Sequence, residues 1–158
     1  MFYDYFETGL IGTLTLIADE QGLRHVYFPE GRSTRPVDAA WVHRPGFFTE
    51  TRRQLVAYFN GDLKIFNLPL APEGTVFQRT VWDALRRIPY GEVVSYKDIA
   101  TAVGNPKAVR AVGGANARNP IPVIVPCHRG IGSNGMLTGF GGGLETKSRL
   151  IELEKRHK

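Results

Sequence analysis

Residues 95–119 read SYKDIATAVGNPKAVRAVGGANARN, and this stretch decides how the second half of the chain folds. Ser95 and Asp98 have the spacing of a capping box that opens a helix, and Gly104 is placed to close that helix. Asn105-Pro106 then predicts an immediate second helix, with proline at its first position. Two short helices joined by a tight glycine-containing turn indicate a helix-turn-helix.

The second helix of this pair has one face that is nearly bare of side chains. Arg110, Gly114 and Ala117 share that face by their spacing, and Gly113 is next to it. A glycine inside a helix costs about 1 kcal/mol relative to alanine, so something must approach this backbone closely. A lone arginine on a bare face suits insertion into a nucleic-acid groove. Close helix–helix packing, with Arg110 in a surface ion pair, fits the spacing equally well.

The charge of the 158-residue chain is unevenly distributed around its formal net charge of +5. Residues 1–74 hold 7 Lys/Arg against 9 Asp/Glu, whereas residues 75–158 hold 13 against 6. A basic second half suggests a surface for a polyanion, although a solubilising charge excess is the alternative. The chain has no apolar run of about 18 residues and no basic signal region at its start, so we expect no membrane segment.

The first 70 residues predict a strand-rich domain. Strands are expected at 2–6, 12–18, 23–28 and 64–70, and residues 29–46 read as a loop. A helix that ends at Gly61 is expected between them, because Phe48, Arg52, Leu55, Val56 and Phe59 follow helical spacing. We interpret residues 1–70 as a supporting domain, 71–74 as a linker and 75–158 as the part that carries the chemistry.

Two further helices are expected in the second half. Thr75 can cap the first, whose apolar face is Phe77, Val81, Ala84, Leu85 and Ile88. The last helix starts near Leu144, and Glu154 lies on the apolar face set by Leu144, Leu150 and Ile151. A carboxylate on such a face needs a partner, because burying it unpaired is expensive.

Residues 121–129, IPVIVPCHR, contain the only cysteine of the chain and predict a buried strand that ends at Cys127. A thiol with an ordinary pKa of about 8.5 needs activation, which a histidine oriented by a carboxylate can supply. Cys127, His128 and Glu154 are such a set. On a strand the side chains of Cys127 and His128 point to opposite faces, so a bridging water would carry the proton. A small buried hydrophobe beside a core histidine is the alternative. A single cysteine cannot form an internal disulfide, so we expect a cytoplasmic protein.

Four segments of the second half together resemble a known family. FQRTVWDALRRIPYGEVVSYKDIA, GNPKAVRAVGGANARNP, NPIPVIVPCHR and IGSNGMLTGFGGGLETKSRLIELE resemble the O6-alkylguanine-DNA alkyltransferases, also called methylated-DNA–protein-cysteine methyltransferases. The resemblance covers nearly all of residues 75–154, whereas the first 70 residues match only in length and strand-rich character. It implies an α/β (α+β) fold: a small antiparallel, ribonuclease-H-like sheet with a helix, then a helical, winged-helix-like helix-turn-helix domain with the active site.

The resemblance also implies a mechanism. Cys127 accepts the alkyl group from O6 of a flipped guanine, His128 takes the thiol proton through a water, and Glu154 orients His128. Tyr96 helps to rotate the nucleotide and donates a proton to the leaving base. Because a thioether has no good leaving group, each molecule acts once.

The implied partner is double-stranded DNA that contains O6-alkylguanine, bound through the minor groove by a monomer without cofactor or metal. Arg110 fills the gap left by the flipped base, and Gly114 permits close approach. The resemblance also implies that Asn119 stabilises the turn before the cysteine and that Lys97, Asn105 and Ser133 contact phosphates. The implied base pocket is lined by Gly130, Phe140 and Gly141.

Three positions depart from the family pattern, and other functions remain open. Gly130 replaces the usual valine, Phe140 a tyrosine and Gly141 an alanine or serine, so a looser or wider pocket is expected. Tyr96 also shares a face with Ile99, as a core residue would. The alternatives are a protein that flags lesions without repairing them, a helix-turn-helix regulator and a thiol hydrolase.

Overall fold

The computed structural model describes residues 1–32, 34–135, 140 and 142–158. Within these residues, the first half forms a four-stranded sheet with one α-helix, and the second half forms four α-helices and a two-stranded sheet. The mixed α/β architecture expected from the sequence is confirmed. None of the described helices is long and apolar enough to cross a bilayer.

The four-stranded sheet contains the first three predicted strands. Strands β1 (Phe2–Glu7), β2 (Thr13–Asp19) and β3 (Gly22–Tyr27) are antiparallel neighbours, and the short β4 (Val42–His43) pairs parallel to β1. The order across the sheet is β3-β2-β1-β4. Strand β4 lies inside the segment predicted as loop, because two residues are too few to show an alternating pattern.

Helix α1 (Thr49–Phe59) follows a 3₁₀ turn and packs with a face that differs in part from the one predicted. Leu55 is fully buried as expected, but Val56 is 49% exposed and Tyr58 is fully buried. The helical spacing was right, but Tyr58 takes the buried place expected of Val56, because the spacing cannot show that the Tyr58 hydroxyl has a buried acceptor.

The predicted strand at 64–70 is wrong. This segment is irregular, since side chains and isolated bonds satisfy its backbone groups in place of a sheet ladder. Gln54 donates to the Asn67 carbonyl and accepts from the Asn67 N–H, both at 2.9 Å. Leu23 donates to the Pro69 carbonyl at 2.9 Å, which ties the segment to the edge of β3.

The second half is built from helices α2 (Val76–Arg86), α3 (Tyr96–Ala102), α4 (Val109–Ala117) and α5 (Leu144–His157). Capping boxes open both α2 and α3: the sequence predicts the one at Ser95, and at Thr75 it predicts a cap, which the structure shows as a box with Gln78. Strands β5 (Val94–Ser95) and β6 (Gly130–Ile131) pair in parallel. This pair ties the start of α3 to the residues directly after Cys127-His128-Arg129.

The predicted start of α4 at Asn105-Pro106 is wrong. The Ala108 N–H donates to the Asn105 carbonyl at 2.9 Å, so residues 105–108 form a β-turn with proline at its second position, where proline is favoured. The helix opens only at Val109, and the helix-turn-helix arrangement is otherwise as expected.

One hydrophobic core runs through both halves of the described chain. The indole N–H of Trp82 on α2 donates to the Ala115 carbonyl on α4 at 2.9 Å. Val26 on β3 donates to the Pro120 carbonyl at 2.9 Å, so the sheet is bonded to the segment that leads to the cysteine. Residues 71–74 are also held, since Arg24 donates to the Ala71 carbonyl at 2.7 Å.

A substitution at Gly22 tests the contact between the edge of β3 and the segment at Pro69. The φ of Gly22 is +144°, and an added Cβ would lie 2.5 Å from the Pro69 carbonyl oxygen. We expect Gly22→Ala to lower the free energy of unfolding by about 1–3 kcal/mol, measured by denaturant titration. Gly46→Ala is the control, because no described atom lies within 4 Å of its Cβ position. Equal losses in the two variants would contradict this contact.

Candidate active site

The segment that leads to Cys127 is a compact turn, so the predicted strand is wrong. Val125 donates back to the Ile121 carbonyl at 2.9 Å, and Cys127–Arg129 form one 3₁₀ turn. Two prolines without N–H donors prevent regular pairing, and a short buried apolar run does not distinguish strand from turn. Successive side chains on a 3₁₀ turn diverge by about 120°. Cys127 and His128 therefore still point apart, for a different reason.

Val123 shows how sharply this segment bends. Its φ of +73° lies in the left-handed region, which a β-branched residue rarely adopts. Such a conformation costs about 1–3 kcal/mol and persists only where the surroundings enforce it. Val123 is 1% exposed, and the 2.9 Å hydrogen bond from Val125 N–H to the Ile121 carbonyl closes the turn around it.

Asn119 holds the two ends of this bend. Its amide nitrogen donates to the Val125 carbonyl at 2.8 Å, and its amide oxygen accepts from the Ile121 N–H at 3.0 Å. The sequence places Asn119 at the turn before the cysteine, and the structure brings it there. Asn119 also acts to lower the pKa of the Cys127 thiol.

The Cys127 thiol is almost completely buried, with 3% of the residue exposed. Burial raises the pKa of this thiol to about 11, although the Asn119 side chain and the charge of Lys147 oppose the rise. The thiol is therefore protonated at neutral pH, and a base must remove its proton before it can act as a nucleophile.

His128 is placed and protonated as such a base requires. Its Nε2 lies 2.6 Å from Oε2 of Glu154. An ionised carboxylate only accepts hydrogen bonds, so Nε2 carries the proton and Nδ1 keeps its lone pair. Nδ1 is buried and has no hydrogen-bond partner among the described residues. Burial lowers the pKa of His128, although Glu154 acts in the opposite direction. The lowered pKa keeps the ring neutral.

Glu154 is the partnered buried carboxylate that the last helix predicted. It accepts from Arg129 Nε at 2.8 Å and Nη2 at 3.1 Å, from Gly91 N–H at 3.2 Å and from the Tyr58 hydroxyl at 2.6 Å. Burial raises the pKa of Glu154, but its bonds to His128 and Arg129 outweigh burial and leave the pKa below its usual range. The carboxylate is therefore ionised, and Arg129 provides its countercharge.

Lys147 is a site residue that the sequence analysis missed. It is fully buried, and its Nζ donates to the Gly130 carbonyl at 2.6 Å and to the Tyr96 hydroxyl at 3.4 Å. Burial lowers the pKa of Lys147 to about 8. A signal existed in the sequence, because Lys147 lies three residues before Leu150 and seven before Glu154, on the buried face of α5.

A cavity of about 260 Å³ opens beside Cys127, with Asn119 and Phe140 in its wall. The first half of the chain, to which the sequence analysis assigned no site residue, lines its other side with His25, Tyr27, Phe28, Arg32, Thr34 and Arg35. His25 and Tyr27 lie on β3 and the other four residues follow it, and neither a strand pattern nor a loop shows which distant part of the chain such residues will face. Tyr96 and Gly130 lie outside this lining, and Gly141 lies outside the described residues.

Gly130 stands in a filled space rather than a loose wall. A Cβ there would lie 3.1 Å from the Tyr96 ring and 3.1 Å from the Asn116 amide oxygen. Glycine therefore suits this position because neighbouring side chains occupy the volume that a larger residue would need.

Tyr96, which was also predicted to contact DNA, is buried with 7% of the residue exposed, whereas the charged and polar residues predicted to face DNA lie on the surface. Arg110, Lys97, Asn105 and Ser133 are exposed. The Gly114 face is open: of the described atoms, only the mobile end of Arg118 comes near its Cβ position, at 3.3 Å. Gly113 does not belong to this open face, since its Cβ position lies 3.5 Å from the Tyr96 ring. The DNA contacts themselves stay predictions.

Comparison with known proteins identifies the family. Residues 76–156 match the family model of the 6-O-methylguanine DNA methyltransferase DNA-binding domain, and residues 1–72 match that of its ribonuclease-like domain. The chain belongs to the O6-methylguanine DNA methyltransferase family.

Relatives in this family align over almost the whole chain. A methylated-DNA–protein-cysteine methyltransferase of Methanosarcina acetivorans is 54% identical, with 98% of each chain covered. One of Haemophilus influenzae is 44% identical, covering 98% of this chain and 87% of its own. The crystal structure of Mycobacterium tuberculosis OGT in complex with DNA superposes with a TM-score of 0.91 at 46% identity, covering 99% of this chain and 94% of its own.

Loss of the buried ion pair between Glu154 and Arg129 should lower the stability of this methyltransferase-family protein strongly. Glu154→Gln leaves the buried Arg129 without a countercharge, so we expect a loss of about 3–5 kcal/mol in the free energy of unfolding at pH 7. Glu145→Gln, which breaks an exposed pair with Arg149, is the control and should cost less than about 1 kcal/mol.

The pH dependence of that loss follows from the lowered pKa of Glu154. Its stabilisation is fully present above the unfolded carboxyl pKa of about 4.3 and disappears as acid protonates the folded carboxyl. The difference between the unchanged protein and Glu154→Gln should therefore shrink below about pH 4. A difference that stays constant into acid would contradict an ionised Glu154.

Proposed function

We propose that this protein repairs DNA by moving an alkyl group from O6 of a flipped guanine to Sγ of Cys127, once per molecule. The observation that carries the proposal is the buried Cys127 thiol next to a neutral His128. Nε2 of His128 is hydrogen-bonded to the ionised Glu154, and Nδ1, which has no hydrogen-bond partner among the described residues, can accept a proton. Membership of the family supports the same reaction.

Deprotonation of the thiol is the first step. A proton passes from Cys127, through a water, to Nδ1 of His128, and the ring becomes an imidazolium. Glu154 stabilises that cation at 2.6 Å while Nε2 stays protonated. Lys147 lies close enough to lower the thiol pKa, so its charge also favours the thiolate.

Alkyl transfer follows as an in-line displacement. The sulfur lone pair forms a bond to the alkyl carbon, the bond from that carbon to O6 breaks, and its electrons stay with the guanine. The leaving base then takes a proton from the Tyr96 hydroxyl. Lys147, whose Nζ lies 3.4 Å from that hydroxyl, can replace the proton. The product is a thioether without a good leaving group, so the cysteine is not regenerated.

Recognition of the lesion uses the charged surface and the cavity. The exposed Arg32, Arg35 and Arg118 line the cavity and favour an anionic nucleic acid. A space of about 260 Å³ suits a single flipped base. Arg110 stands on the open face of α4, where it can replace that base in the duplex while α4 lies in the minor groove.

The direct test is one incubation with a duplex that carries a single O6-methylguanine, followed by intact-protein and peptide mass spectrometry. We expect a gain of one methylene on the Cys127 peptide that saturates at one per molecule, and no gain in Cys127→Ser. Tight, lesion-selective binding without a mass gain would show a protein that flags lesions. Continued turnover of ester substrates would show a hydrolase. Either outcome would reject the proposal.

The role of Arg110 predicts a separation between repair and binding. Arg110→Ala should slow methyl transfer by more than about tenfold and weaken nonspecific duplex binding much less, because only flipping needs the side chain inside the helix. Arg53→Ala is a control with the same charge change at an exposed position of α1. Equal losses in repair and in nonspecific binding would remove the flipping role.

A further inference from the structure

Glu154 receives one of its shortest hydrogen bonds from the first half of the chain. The Tyr58 hydroxyl on α1 donates to Oε2 of Glu154 at 2.6 Å, and both residues are buried. Oε2 is also the atom that accepts from Nε2 of His128, at 2.6 Å. Among the described residues, the other donors to this carboxylate, Arg129 and Gly91, belong to the second half.

We propose that Tyr58 is a positioning residue for alkyl transfer, through which the first half of the chain sets the orientation and basicity of the Glu154–His128 pair. This inference rests on the proposed function. It gives residues 1–70, which hold none of the reacting groups, a defined part in the reaction. Tyr58 acts only through Glu154 and does not touch the reacting atoms.

The surroundings of Tyr58 hold its hydroxyl in place. Its ring is packed by Phe59 at 5.1 Å between centroids, by Phe66 at 5.2 Å and by Tyr90 at 6.2 Å. The first and last contacts are edge-on, so the ring has little freedom to rotate away. A fixed O–H donor on Oε2 leaves the carboxylate in the one orientation that also meets His128.

The Tyr58 hydroxyl also reduces the negative charge on the Glu154 carboxylate. A donor on Oε2 withdraws charge from the same atom that stabilises the His128 imidazolium. Without it, Oε2 holds the His128 proton more strongly, and the pKa of His128 rises. The charged and titratable groups around His128 are Glu154 and Lys147 on α5, Cys127 and Arg129 on its own turn, Tyr58 on α1 and Tyr90 beside it.

Tyr90 offers a matched control for the loss of one hydroxyl. It is 8% exposed and its ring contacts Tyr58, but its own hydroxyl is buried without a hydrogen-bond partner among the described residues. Tyr58→Phe and Tyr90→Phe therefore remove the same atom from neighbouring rings of one cluster. Only the first change removes a donor from Glu154.

The experiment measures two quantities in the full-length variants: the single-turnover rate of methyl transfer against pH, and the pH midpoint of His128 by NMR of ring-labelled histidine. In Tyr58→Phe we expect the His128 midpoint to rise by about half a unit or more, and transfer to slow by about tenfold, because the lost orientation of the carboxylate outweighs the gain in basicity of His128. Tyr90→Phe should change neither. DNA affinity should be unchanged in both variants.

Replacement of Tyr58 by a fluorotyrosine, introduced at that site alone, keeps the ring and strengthens the O–H donor. We expect it to lower the His128 midpoint, the opposite sign to Tyr58→Phe, and this arm holds even if Tyr58→Phe fails to fold. Slower transfer with an unmoved midpoint would mean that Tyr58 is structural, and midpoints that match Tyr90→Phe would mean that it acts no differently from its neighbour. Either result overturns the proposal.

The two proposals fail in distinguishable ways. If the unchanged protein gains no methyl group on Cys127, the proposed function is wrong, yet the histidine titration still reports whether Tyr58 controls the Glu154–His128 pair. If methyl transfer occurs but the titration does not respond to Tyr58, only the positioning role is lost.

Discussion

One buried carboxylate organises this molecule. Glu154, which is 1% exposed, accepts hydrogen bonds from His128, Arg129, Gly91 and Tyr58. A buried charge without partners is costly, so these donors have to reach it together. They come from α1, from the loop after α2 and from the turn that carries the cysteine. The fold of both halves is thereby tied to the state of one side chain.

The same constraint accounts for the activation of a thiol with a raised pKa in the proposed reaction. Burial raises the pKa of Cys127 to about 11 and so keeps the thiol protonated, and a protonated thiol is a poor nucleophile. The carboxylate fixes the tautomer of His128, so a neutral nitrogen waits on the side away from Glu154. Lys147 adds a positive charge near the sulfur and supports the Tyr96 hydroxyl. In the proposed reaction, the groups that remove the proton and stabilise the charge are thus in place before DNA binds.

The sequence predicted the local features well and the tertiary ones poorly. Capping boxes at Thr75 and Ser95 involve neighbours in the chain, and both are present. Glu154 showed its need for a partner because a carboxylate stood on an apolar face. The strand before Cys127 was predicted wrongly, since its two prolines and a left-handed Val123 form a turn whose burial mimics a strand. Tyr58 was missed because its acceptor lies 96 positions away in the chain.

The most direct test of this account is the protonation state of His128 in the DNA-free protein, read from the ring nitrogen shifts by heteronuclear NMR. We predict a neutral ring at pH 7 with its proton on Nε2, and a collapse of that preference when Glu154 is replaced by glutamine. An imidazolium at pH 7, or a proton on Nδ1, would contradict the account, because the ring could then accept no proton from Cys127.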